Sequence, residues 1–288
     1  MTFEGRNFEA LSQLGFGRFV LDRLSEDWSE GFGASSFVLL VEHRVKKGPQ
    51  NVISSDSTPW LKAQRAIGAL RLLASGDLAC GPMWIIRSSA FRIGVEVARA
   101  GLSIPNFGSA YVLADDTVAA FPKLYSELRK LEQVGYGRAP GNLDLALRSF
   151  MATYDRWPSG NDSRLVDSIT ALEAVLGTEA EISFKLAFRV ASLLAATDHQ
   201  RAALLEDVRS FYDTRSKLVH GKSLKKKHLA NLERVDELRA TVRCLLRAFV
   251  GFAATGPSNY TKEFFEAHLD AALVDASQRA ALRTAIGL

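Results

Sequence analysis

From residue 143 onward, apolar residues recur at steps of three and four through five successive stretches, and only helices packed side by side can bury them all. Leu143 to Trp157 carries Leu145, Phe150 and Tyr154 on roughly one side. Asn161 or Asp162 can cap the next stretch, where Leu165, Ile169, Leu172 and Leu176 lead to Gly177. Ile182 to Ala195 repeats the rhythm with Phe184, Ala187, Ala191 and Leu194, and a fourth helix is predicted from Asp198 to Val219. The last spans Lys225 to Ala253, with Leu229, Leu232, Val235, Leu238, Val242, Leu246 and Phe249 in step. The connections are short, so neighbours should run antiparallel.

The first half has a different texture. Ser35 to Val45 reads as a strand, Pro59 to Ser75 as a helix stopped by Gly76, and Met83 to Ile86 and Phe91 to Val97 as further strands. Phe121 to Val134 returns to a helical pattern, and Gly135, Gly137, Pro140 and Gly141 then mark a boundary. The expected fold class is therefore α+β: a mixed α/β domain over 1–138, an all-α antiparallel bundle over 142–253, and a helical extension over 254–288. The N-terminal half discloses no function of its own.

Within the fourth helix, Leu204, Val208, Phe211 or Tyr212, and Val219 form the stripe that should face the core, and Arg215 falls on it. A guanidinium on a buried face needs a carboxylate, a subunit boundary or an anionic ligand. Glu173 is the candidate partner, through a bidentate contact across the bundle. Arg189 is a second polar residue inside an apolar helix. His220 stands five residues after Arg215, at the helix end, where Gly221 can supply a left-handed stop. Arginine offers a permanent planar cation suited to phosphate, and histidine exchanges a proton near neutral pH. Two readings remain open: a site for phosphodiester chemistry, or a structural Arg–Glu pair with an unrelated histidine.

Charge sharpens the first reading. Residues 201 to 247 hold twelve Lys and Arg against six Asp and Glu, a local excess of +6 in a chain of net +4. Lys217, Lys222, Lys225, Lys226 and Lys227 surround His220, either as a phosphate-binding rim or as a solvated helix start. His43, His199, His228 and His268 have no second ligand at a zinc-like spacing. With no phosphate loop or nucleophile elbow either, no metal and no cofactor are expected. Cys80 and Cys244 are the only cysteines, which fits a reducing cytosol. No signal peptide and no membrane segment are expected, so the chain reads as cytoplasmic.

Ser168 to Leu176 with its Ala171-Leu172-Glu173-Ala174, Phe184 to Ala191, and Phe211-Tyr212-Asp213-Thr214-Arg215-Ser216-Lys217-Leu218-Val219-His220-Gly221 together resemble the HEPN superfamily, most closely its Apea-like branch, over residues 142 to 253. The resemblance implies a helical bundle that dimerises through the motif-bearing helices and brings two Arg-x4–6-His motifs into one cleft. Many such proteins are metal-independent endoribonucleases of toxin–antitoxin, antiviral or RNA-processing systems; others are non-catalytic binding or dimerisation modules. Carried over, Arg215 and His220 are the catalytic pair, supported by Ser216, Glu173, Tyr212 and Asp213, with RNA as partner along the lysines and an antitoxin or regulator as a further one. Ser216 departs from the Asn or Asp found after the arginine in other branches. Five residues apart on an ideal helix means about 140° of rotation and ~7.5 Å of rise. Arg215 and His220 therefore share no face within one straight helix, an independent reason to expect a two-fold homodimer.

Overall fold

The computed structural model describes residues 57–78, 83–89, 92–98, 111–112, 114–134, 143–156, 160–177, 181–255 and 262–288. Ten helices and two strands lie among them: α1 (Ser57–Leu73), β1 (Met83–Ser89), β2 (Arg92–Ala98), α2 (Asp115–Val134), α3 (Leu143–Asp155), α4 (Asn161–Leu176), α5 (Ile182–Leu194), α6 (Asp198–Val219), α7 (Lys226–Glu233), α8 (Val235–Thr255), α9 (Lys262–Val274) and α10 (Ala276–Ile286). The chain divides into one compact unit of residues 1–64 and 82–101 and another of 65–81 and 102–288.

The expected α+β class is corrected. The segments predicted as strands around Met83 and Val97 do pair, antiparallel, from Met83 with Ala98 to Ser89 with Arg92, but only with each other. A single two-stranded ribbon makes no sheet layer. Everything else regular among the described residues is helix, so apart from that ribbon their architecture is all-helical rather than a mixed α/β domain followed by a bundle. The strand predicted over Ser35 to Val45 lies outside the described residues.

In the larger unit, α4 is the central helix and packs against α3, α5, α6, α7 and α8. Leu165, Ile169 and Leu172 of α4 meet Phe150 of α3, Leu186 and Val190 of α5, Val208 and Phe211 of α6, and Leu238, Val242 and Phe249 of α8 in one core. Leu124, Leu128 and Leu131 of α2 join the same core, so it draws on residues before the glycine–proline boundary. The tail docks on the bundle: buried Arg189 of α5 donates to the Leu176 carbonyl at 2.8 Å and to Asp270 of α9 at 2.7 Å. No helix among the described residues is long and apolar enough to cross a membrane.

Helix ends follow local chemistry. Thr197 caps α6 by accepting from the Gln200 N–H at 3.2 Å, and the Gln200 side chain returns to the Thr197 N–H at 3.1 Å. At the other end Gly221, at φ +62, takes the left-handed conformation its position predicts. Its N–H reaches the Leu218 carbonyl at 3.1 Å while that of Lys222 reaches Lys217 at 2.9 Å, a Schellman closure. The N-cap of α4 is Gly160, not Asn161 or Asp162. The helix predicted from Lys225 to Ala253 breaks at Arg234, whose guanidinium holds Asp207 at 2.8 Å and Glu237 at 2.7 Å. The apolar rhythm runs through this break unchanged; α7 turns to dock on α6, and that tertiary contact overrides the helical pattern.

Candidate functional site

The C-terminal half of α6 and the start of α7 carry the candidate residues. The buried line of α6 passes through Val208, Phe211 and Thr214, so Arg215 lies on its flank rather than on it. Thr214 can be buried in mid-helix because its hydroxyl donates to the Ser210 carbonyl at 2.9 Å. Val219, expected to face the core, is 52% exposed.

Arg215 meets Glu173 through a single Nη2–Oε2 contact of 3.2 Å rather than a bidentate one. The two side chains keep 24% and 21% of their exposure. The Nε of Arg215 is buried and has no partner among the described residues, so most of its five donors are unspent. The Tyr212 ring lies 6.0 Å from its Cζ. Burial, and then the adjacent Glu173 carboxylate, push the Tyr212 hydroxyl above the usual phenol range, which keeps it a hydrogen-bond donor.

Asp213 organises the opposite flank. It accepts from Lys227 Nζ and from His228 Nε2, each at 3.0 Å, with Lys217 Nζ at 3.9 Å. Chiefly through the Lys227 bond, these groups hold its carboxyl below the usual range. His228 is buried, and its Nδ1 accepts the Lys225 backbone N–H at 2.9 Å. The ring proton therefore sits on Nε2 and is donated to Asp213. Asn231 adds a second tie: its amide donates to the Ser210 carbonyl at 3.0 Å and to the hydroxyls of Ser210 and Thr214 at 2.8 Å.

Lys227 is thus partly neutralised, whereas Lys222, Lys225 and Lys226 are exposed without described partners. Lys225 is the N-cap of α7, and no acidic residue lies in that helix's first turn. The positive end of the helix dipole and these ammonium groups reinforce each other. His220 closes α6 with its backbone N–H on the Ser216 carbonyl at 3.2 Å. Its exposed imidazole meets no hydrogen-bond partner among the described residues. Ser216 is half-buried on the turn before it.

The structure therefore places Tyr212, Arg215 and Glu173 in one group and Asp213, Lys217 and Lys227 in another, with His220 and Ser216 at the helix end between loop and solvent. It does not bring Arg215 and His220 into a shared contact within one chain. The sequence reading missed His228 and Asn231. The signal that could have found them is their spacing: at i and i+3 on a short amphipathic helix, both point one way, toward Asp213 and Thr214. No group of three or more His, Cys, Asp or Glu among the described residues is placed to hold a metal ion. No family model, curated protein or solved structure matches the chain.

Proposed function

We propose that the protein is a metal-independent endoribonuclease of the HEPN type, a cytoplasmic homodimer in which Arg215 and His220 of two subunits line one composite site. The observation that carries this reading is Arg215: a part-exposed guanidinium held by one 3.2 Å contact, with a buried Nε left unpartnered. Glu173 engages one terminal nitrogen of this cation, and its part-exposed guanidinium has room for a second, phosphate anion.

RNA brings its own nucleophile. His220 takes the proton of a 2′-hydroxyl, whose oxygen attacks the adjacent phosphorus. The bond to the 5′-oxygen breaks, and the partner subunit's His220 delivers a proton to that oxygen. Arg215 stabilises the charge that builds on the non-bridging oxygens. The products are a 2′,3′-cyclic phosphate and a 5′-hydroxyl. Lys222, Lys225 and Lys226 gather the RNA, while Asp213 and His228 fix the start of α7 and the loop before it, on which they sit.

A second reading, a non-catalytic RNA-binding or dimerisation module, is favoured by one observation: no described side chain orients the His220 imidazole. Incubating labelled mixed-sequence RNA in EDTA with wild type and His220→Ala separates the two. Cyclic-phosphate ends from wild type alone support the nuclease. Binding without cleavage by either protein favours the module, and cleavage abolished by the chelator sinks the scheme.

A further inference from the structure

Beside the Arg215 group, the start of α5 and the outer face of α6 enclose an open depression of about 430 Å³, lined by Glu181, Ile182, Ser183, Phe184, Arg209 and Tyr212. Phe184 reads as a core residue in sequence, yet it is 48% exposed here, steadied by the Phe188 ring at 5.6 Å. An exposed, braced aromatic ring is what unstacked bases settle on. Arg209 is exposed and has no described ion-pair partner. Glu181 is exposed as well; it gives α5 no side-chain cap, and its backbone is held at φ 53, a conformation seldom taken by a residue other than glycine.

A carboxylate offers only acceptors. On the Watson–Crick edge, guanine alone of the four RNA bases presents two adjacent donors, N1–H and the 2-amino group. Adenine and cytosine set an acceptor beside their donor, and uracil flanks its donor with two, so each would turn lone pairs toward the Glu181 oxygens. We propose that this depression reads a guanine of single-stranded RNA, stacked on Phe184 and hydrogen-bonded by Glu181, with Arg209 on the neighbouring phosphate and the Tyr212 hydroxyl at the inner wall. The inference rests on the RNA-cleaving reading above. Arg209, Tyr212, Ser216 and His220 follow one another at steps of three, four and four along one face of α6. Tyr212 and His220 are about 12 Å apart along the helix axis. The guanine is therefore a near neighbour of the phosphate being cut, not the nucleotide at the cut.

Fluorescence anisotropy with 2′-O-methyl oligonucleotides tests this, because they lack the nucleophile and stay intact. Uridine tracts carrying one central guanine, adenine or cytosine, or none, are compared on wild type, Glu181→Gln and Phe184→Ala. All three proteins are first shown to be equally folded by circular dichroism; the altered side chains are exposed. Wild type should prefer the guanine strand roughly tenfold or more, the size of one bidentate base contact. Glu181→Gln should erase that preference, and Phe184→Ala should weaken binding of the guanine strand. Equal affinity of wild type for all four strands, or a guanine preference that survives Glu181→Gln, overturns the subsite and leaves the RNA reading standing. Failure of wild type to bind any strand overturns both.

Discussion

Two kinds of arginine lie in this bundle, and replacing one of each should separate them. Asp77 is buried between Arg164, whose Nη2 donates to it at 2.7 Å, and Arg239, whose Nη1 donates at 3.0 Å; all three side chains are at most 8% exposed. Asp77→Ala strips Arg164 of its described carboxylate and leaves Arg239 with Asp236 and Thr153. Breaking a buried pair from one side costs about 3–5 kcal/mol. Arg215→Ala removes one 3.2 Å contact at positions nearly a quarter exposed, together with a donor that was already unpaired. That is worth about 1 kcal/mol or less. At ~2–4 °C per kcal/mol for chains of this size, Asp77→Ala should melt roughly 6–20 °C below wild type and Arg215→Ala only ~2–4 °C below. Thermal and urea melts followed by far-UV circular dichroism give both numbers, and the RNA assay should lose all activity with Arg215→Ala. If Arg215→Ala unfolds as readily as Asp77→Ala, Arg215 is a structural cation and the reasoning fails.

Gly221→Ala meets no atom within 4 Å, so its cost is the left-handed backbone alone, about 1 kcal/mol in the melt, with a loss of cleavage as His220 shifts. Gly221→Asn should be milder on both counts, because asparagine tolerates that conformation. Asn231→Asp should destabilise more than Asn231→Ala, since it replaces two N–H donors shared among three acceptors with a carboxylate facing the Ser210 carbonyl; urea midpoints decide. The Asp213 carboxyl is held low by Lys227 and His228, so its contribution is complete above the unfolded value of about 3.9 and is lost as pH falls through the lower folded value. Stability of Asp213→Asn should therefore fall less steeply than that of wild type below about pH 4. An identical acid limb would show that Asp213 carries no such linkage.

Much of the helical frame was legible in the chain. The period of three and four places α3 to α6 within a residue or two, and the stop of α6 at Gly221 is legible because a left-handed glycine is a local device. The tail after Tyr260 reads as short helices and forms α9 and α10. Periodicity was weaker at saying which side of each helix faces inward. Leu145, Phe184 and Val219 belong to apolar rhythms yet are exposed, while Thr214 and Asn231 are buried because each finds a polar partner across α6 and α7.

Least legible were the polar contacts. Tyr154 lies between two guanidiniums, Arg71 at 4.5 Å and Arg239 at 4.3 Å from its ring, and accepts from Arg243 at its hydroxyl. Nothing in the spacing of these residues, drawn from α1, α3 and α8, announces that they meet. Sequence alone determined that helices form, where most of them stop, and that an arginine and a histidine stand at the end of α6, because propensity, capping and backbone freedom act within a few residues. Only the tertiary structure decided that Arg215 meets its carboxylate through a single contact at a part-exposed position while Arg164, Arg189 and Arg239 lie buried in ion pairs, and that His228 is held by Asp213. A buried charge or hydrogen bond is settled by whichever group the fold brings across the core, and that group is usually distant in sequence.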